Sequence, residues 1–180
     1  VECCSQERTY LKYYGLLAER FCRLNLLWEE CFAKCFATVY LAVHKIDTGR
    51  IRNITKLFGH LLETDAIPWT VFSVVRLTED DTTASNRIFL KFLFQELSEF
   101  YSEAGLSSRM QHPDLAEALQ GVWPRDSLRN VRFSVHFFDA IDLPALAQSQ
   151  RQFIADLEAE LAAEERAEME RERQERLLNN

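Results

Sequence analysis

Glycine and proline are scarce: the 180 residues hold five and four. A chain so poor in turn formers favours long elements with short connections, and that points to helices. The glycines are scattered, so no glycine-rich phosphate loop is present. There is no His-Glu-x-x-His pair and no Gly-x-Ser-x-Gly elbow. With every local signature missing, no catalytic residue is expected and the chain is not expected to be an enzyme. No signal-peptide pattern opens the sequence and no apolar run has bilayer length, so neither a membrane nor a small-molecule substrate is an expected partner.

Positive charge is also in the minority. Lys and Arg number 21 against 28 Asp and Glu, a net charge of −7. A uniformly acidic surface repels phosphate, so RNA is at most a minor expected contact. The imbalance is uneven: from Arg151 onward nine acidic residues face five arginines, leaving the rest closer to neutral and open to basic patches. The cysteines are Cys3, Cys4, Cys22, Cys31 and Cys35, an odd number, three of them inside apolar helical pattern. Reduced thiols of a cytosolic or nuclear protein follow. Cys31 and Cys35 are one turn apart and could supply half of a zinc site, but no Cys/His pair of matching spacing completes it. Buried small hydrophobes are expected instead, with no metal and no cofactor.

What the chain does have is bulk for a core: 13 Phe, five Tyr, three Trp and a hydrophobic fraction of 47%. Residues 5–24 predict a helix with Tyr10, Tyr14, Leu17 and Phe21 on its apolar stripe. Asn25 caps the next helix, which runs to about Ile46 with Leu27, Cys31, Cys35, Val39 and Val43 inward. After a break at Asp47-Thr48-Gly49, a third helix carries Ile51, Ile54, Leu57, Phe58, Leu61 and Leu62. Pro68 suits the first turn of a short helix ending near Val75. A polar loop over 78–83 leads into a strongly apolar helix, 83–101, expected at the centre of the core. Gly105 is expected to end that stretch. Short helices follow around 106–110 and 113–120. A helix over 127–141 then turns Val131, Val135, Phe138 and Ile141 inward. From Asp142 nothing is expected to break helix. Leu143, Leu146, Phe153, Leu157 and Leu161 form a docking stripe, and 162–176 reads as a solvated helix with pairs such as Glu172–Arg176. His44, His60, His112 and His136 are expected at core edges or on the surface. No strand pattern appears. The fold class is all-α: stacked antiparallel helix pairs of the HEAT type with a long C-terminal helix.

Three constellations are candidates for function. Asp65, in the acidic turn before Pro68-Trp69, either caps the next element while Trp69 packs inside, or faces a basic partner. Arg125, Arg129 and Arg132 fall at i, i+4, i+7, where guanidinium forks grip a carboxylate cluster or a phosphate backbone, or pair with a neighbouring helix. Arg50 and Arg52, with Lys45 and Lys56 nearby, make a modest basic surface that reads first as a solvated face.

Residues 2–21, 50–69, 82–99 and 123–133 together resemble one family. The Cys-Ser-Gln-Glu-Arg-Thr-Tyr opening, the Leu-Leu-Glu-Thr-Asp…Pro-Trp turn and the Pro-Arg-Asp…Arg-Asn…Arg-Phe turn occur in the order found in the C-terminal helical module, the MA-three domain, of the Cwc-twenty-two (nucampholin) splicing factors. The resemblance covers about residues 2–141. It implies a nuclear, non-catalytic scaffold of pre-mRNA splicing that docks on core spliceosomal proteins during activation and is linked to exon junction complex assembly. Helicase recruitment in that family belongs to an upstream module, so a DEAD-box helicase is not an expected partner of this segment. The alternative is a translation-type regulator whose helical module clamps such a helicase. The expected division is 1–141 as the MA-three-type domain, lacking its first helices, and 142–180 as a charged extension. The anchors expected to meet a partner are Arg125, Arg129 and Arg132, then Asp65 and Trp69.

Overall fold

The computed structural model describes residues 1–178; side chains at 172–173 and 175–178 fall outside the described set, and the expected Glu172–Arg176 pair with them. Among the described residues nine α-helices follow one another: α1 Glu2–Gln6, α2 Lys12–Leu24, α3 Leu26–Ala42, α4 Thr48–Glu63, α5 Ala84–Tyr101, α6 Glu103–Met110, α7 Ala116–Leu119, α8 Leu128–Ala140 and α9 Gln148–Leu178. Short 3-10 turns occupy Val43–Lys45, Trp69–Val74, Pro113–Leu115 and Pro144–Ala147. No strand occurs among the described residues. The fold is all-α, packed helices with a long C-terminal one. No described helix is long and apolar enough to cross a membrane.

Most starts are set by local caps. Asn25 accepts from Leu27 N at 2.9 Å and opens α3. Asp47 accepts from Arg50 N at 3.0 Å, so the expected break is also the N-cap of α4. Thr83 and Asn86 form a reciprocal capping box, and Asn86 Nδ2 also donates to Tyr40 O at 3.1 Å, tying the start of α5 to α3. Ser127 caps α8. Pro68 precedes a 3-10 turn.

The core is organised by α4 against α5. On α4, Ile51, Ile54, Leu57, Phe58, Leu61 and Leu62 are all buried, and on α5 so are Phe89, Leu90, Leu93, Phe94 and Leu97. A ladder of phenylalanine rings links the layers. Phe36 of α3 meets Phe58 at 5.1 Å, Phe72 at 5.8 Å and Phe89 at 5.7 Å; Phe72 stacks on Phe94, and Phe94 meets Phe138 of α8 at 5.4 Å. Such edge and offset pairs add to the gain from area alone.

Several expected details are corrected. The helix expected over 5–24 breaks at Glu7, which is extended. Asn53 Nδ2 donates to Glu7 O at 2.7 Å, and Tyr14 donates to the Glu7 carboxylate at 2.8 Å, so a long-range bond replaces a helical one. The buried side of α2 is Gly15, Ala18 and Cys22, while Leu17 and Phe21 stay exposed. A Cβ on Gly15 would lie 2.4 Å from Tyr10 Oη and 2.9 Å from the His60 ring, so only small residues allow α2 this close to α4. On α3 the buried residues are Phe36 and Tyr40; Leu27 and Cys31, expected inward, are exposed. Gly105 lies inside α6, because the chain turns earlier, at Ser102 with φ 60. The helix expected from Asp142 onward is interrupted: Asp142 has φ 62 and Pro144 opens a 3-10 turn. Leu143, Leu146 and Ala147 are buried there, and buried Gln150 donates to Pro124 O at 2.8 Å and Ser134 Oγ at 3.2 Å. Phe153, Ile154 and Leu157 are half-buried, but Leu161 is 57% exposed, so docking of α9 ends one turn earlier than expected.

Candidate interaction surfaces

Exposed apolar bulk is concentrated in one place. Among the described residues, nine of the fourteen exposed large hydrophobic side chains lie between 11 and 28, on α2 with its N-cap Leu11 and on α3. Leu24 is 70% exposed, Leu26 63%, Leu27 60% and Trp28 44%. Phe21 and Trp28 touch across the turn with ring centroids 5.0 Å apart, so the two helices present one continuous surface. It arises because α3 is apolar on more than one side and has only one side to bury. Charged Lys12, Arg20, Glu29 and Glu30 stand on the same two helices. An apolar centre within a polar rim is the composition of a protein-binding patch. Periodicity did not locate it: the stripes place Phe21 and Leu27 inside.

The Asp65 turn is held from within. Ala66 N and Ile67 N both donate to Leu61 O, at 2.8 and 3.2 Å, and Asp65 sits at φ 52. The Trp69 indole donates to Leu62 O and to Asp65 Oδ1, each at 3.2 Å, and Arg109 donates to the same carboxylate oxygen. The Arg109 guanidinium also lies 5.4 Å above the Trp69 ring. Asp65 thus bonds the indole rather than capping a helix. Trp69, 2% exposed, is a core residue with no face for a partner.

The three arginines do not share a helical side, because Arg125 precedes the Ser127 cap. Its guanidinium lies 5.0 Å above Phe153 of α9. Arg129 donates to Glu79 at 2.7 Å and to Asp80 at 3.2 Å. The Glu79 bond, then the Asp80 charge, holds its guanidinium above the usual range. Arg132 lies 3.6 Å from Glu158. All three remain exposed, where solvent screening leaves the pairs of Arg129 and Arg132 little net stabilisation.

A cluster not read from the sequence joins α2 to α4. His60, 8% exposed, has Nε2 2.8 Å from Glu19 and Nδ1 3.1 Å from Glu63. Arg23 donates to Glu19 at 2.8 Å. Burial pushes the Glu19 carboxyl up, but its bonds from Arg23 and His60 outweigh that and leave it below its ordinary range. The signal was Glu63 three residues after His60; Glu19 had none.

Burial pushes the Cys4 and Cys35 thiols up and Cys22 to about 11, as suits packing residues. Cys31 is exposed, against expectation, because its helix turns Phe36 inward instead. No three His, Cys, Asp or Glu side chains among the described residues are gathered as a metal would require. A groove of about 790 Å³ opens between the 73–78 segment, α7 and the 120–126 connector, with Arg76, His112, Arg125 and Asp126 on its lining.

A family model described as the MA3 domain matches residues 1–68. The chain is 49% identical over 154 residues to the pre-mRNA-splicing factor cwf22 of Schizosaccharomyces pombe, covering 86% of this chain and 17% of that protein. It is 47% identical over 157 residues to the pre-mRNA-splicing factor cwc22 of Neurospora crassa, covering 87% and 16%. It is 46% identical over 154 residues to the pre-mRNA-splicing factor CWC22 homolog of Drosophila melanogaster, covering 86% and 12%. The chain thus spans less than a fifth of the length of each of these relatives.

Proposed function

Because this chain belongs to the Cwc22 family of pre-mRNA-splicing factors, as an MA3-containing segment, we propose that it is a non-catalytic docking module of the splicing machinery, acting in the nucleus. The partners in this proposal are core proteins of the spliceosome, met during its activation, and the link to exon junction complex assembly runs through the longer protein. The observation that carries it is the exposed apolar surface of α2 and α3. A partner that covers Leu24, Leu27 and Trp28 removes apolar area from water, and a few such anchors supply most of the affinity of a typical interface. Arg125, Arg129 and Arg132 belong to a second, polar contact region in the same proposal. The carboxylate partners of Arg129 and Arg132 are exposed and exchange readily for those of another protein, and Arg125 rests on Phe153 with no carboxylate to give up.

In the helicase-clamping alternative the acidic Asp65 loop would matter more than the arginines. That carboxylate also accepts from the indole of the buried Trp69, a bond to the core that the carboxylates facing Arg129 and Arg132 do not make, which favours the spliceosomal proposal. The test is capture of purified activated spliceosomes by the immobilised chain, beside purified DEAD-box helicase. Leu24→Lys with Leu27→Lys is expected to reduce spliceosome capture at least tenfold, a loss of about 1.4 kcal/mol or more. Undiminished capture by that variant, or helicase binding in place of spliceosome binding, overturns the proposal.

A further inference from the structure

Surface arginines in this fold commonly end on a carboxylate, as Arg50 does on Glu2 and Arg129 on Glu79. Arg52 and Arg87 do not: neither has an ion-pair partner among the described residues. Each guanidinium instead rests over a half-buried ring. Arg52 of α4 lies 4.8 Å from the Phe92 centroid on α5, and Arg87 of α5 lies 5.8 Å from the Phe133 centroid on α8. Lys91, one turn after Arg87, is half-exposed and equally without a carboxylate. The nearby Glu96 is taken by Lys56 at 2.6 Å, and Asp139 is taken by Arg151. Three cations without a carboxylate partner among the described residues therefore gather on the outward side of α5, Arg52 by reaching Phe92 from α4, in a chain whose net charge is −7.

A guanidinium lying on a ring keeps its N–H fork free at the edge while the ring restricts its rotamers. The entropy cost of ordering it for a ligand is largely met in advance. We infer that this face is a docking site for an acidic protein segment carrying at least two carboxylates. Phe92 and Phe133, the rings on which bases of RNA would stack, are already covered by the arginines. The two cations on α5, Arg87 and Lys91, stand four residues apart, about 6 Å along the helix, short for tracking a phosphate backbone. The acidic remainder of the surface repels a polyanion, whereas a short acidic segment meets only the cations. The site lies on different helices from the α2–α3 surface and does not depend on what binds there.

The experiment is fluorescence anisotropy of a labelled (Asp-Glu)2 peptide with the 180-residue chain at low salt, alongside a labelled four-nucleotide oligouridine. The triple variant Arg52→Gln, Arg87→Gln, Lys91→Gln is expected to bind the peptide at least about tenfold more weakly, whereas Arg8→Gln with Lys34→Gln changes binding less than about twofold. Arg52→Lys with Arg87→Lys keeps the charge but loses the fork and is expected to fall between, about threefold. If far-UV circular dichroism shows the triple variant unfolded, the single variants Arg52→Gln and Arg87→Gln decide, each expected to weaken binding measurably. The inference is overturned if the wild-type chain does not bind the peptide, if folded neutral variants bind it as tightly, or if oligouridine binds more tightly than the peptide.

Discussion

Replacing Phe36 by alanine should destabilise the fold by about 4 kcal/mol, and the comparison with Leu27→Ala tests which side of α3 is inside. Phe36 is 0% exposed and touches the rings of Phe58, Phe72 and Phe89. Returning most of its side chain to water forfeits about 2–3 kcal/mol. The ring's place is walled by other rings that cannot all move inward. A residual void on the order of 60–80 Å³ adds roughly 1.5–2 kcal/mol at about 24 cal/mol per Å³. For a chain of this length each kcal/mol lowers the melting temperature by about 2–4 °C, so a fall of about 8–16 °C is expected. Leu27, 60% exposed on the same helix, should change stability by less than about 0.5 kcal/mol when cut to alanine. Urea unfolding followed by circular dichroism, with the slope compared between variants, measures both. A Phe36→Ala cost below about 1 kcal/mol, or one no larger than that of Leu27→Ala, would refute the orientation of α3 and with it the exposed apolar surface.

Gly121→Ala should cost about 3 kcal/mol in urea unfolding, because the added Cβ would lie 2.0 Å from the Val75 carbonyl oxygen, on a segment where Leu77 N donates to Gly121 O. His60→Ala should cost about 2 kcal/mol by leaving Glu19 and Glu63 short of a partner, with His60→Gln milder; equal stability of wild type and both variants would refute the cluster. The Glu19 carboxyl is lowered on folding, so its stabilisation is full above its ordinary pKa of 4.5 and disappears as pH falls through the folded value. Glu19→Gln should accordingly flatten the loss of stability below pH 4.5, and an unchanged acid limb would count against the assignment. Iodoacetamide labelling read by mass spectrometry should modify exposed Cys3 and Cys31 in the native chain, with buried Cys4 and Cys22 reacting only after unfolding.

The parts legible in the sequence are those decided within one or two helical turns. Asn25, Thr83 and Ser127 cap helices through bonds to residues two or three positions on, and those helices start where the residues predict. The stripe of α4 named its apolar buried residues, Ile51, Ile54, Leu57, Phe58, Leu61 and Leu62, whereas α5 is apolar on more than one side, so its central place was legible but Phe100 turned out exposed and Leu90 and Phe94 buried. The family was legible too, because its motifs are strings of residues that need no structure to be seen.

Tertiary structure decided the rest. The break at Glu7 comes from Asn53, 46 positions away. Arg125 leaves the arginine row because it stands ahead of a cap and turns to Phe153 on a later helix. For α2 and α3 the apolar pattern is too wide to point in one direction. Close approach to α4 admits Gly15 and Ala18, and the phenylalanine ladder takes Phe36, which together leave Leu24, Leu27 and Trp28 in solvent. A core residue and a docking residue are the same amino acids with the same period. Which one a leucine becomes is set by whether the chain supplies a neighbour to cover it, a fact of packing that no single stretch of sequence contains.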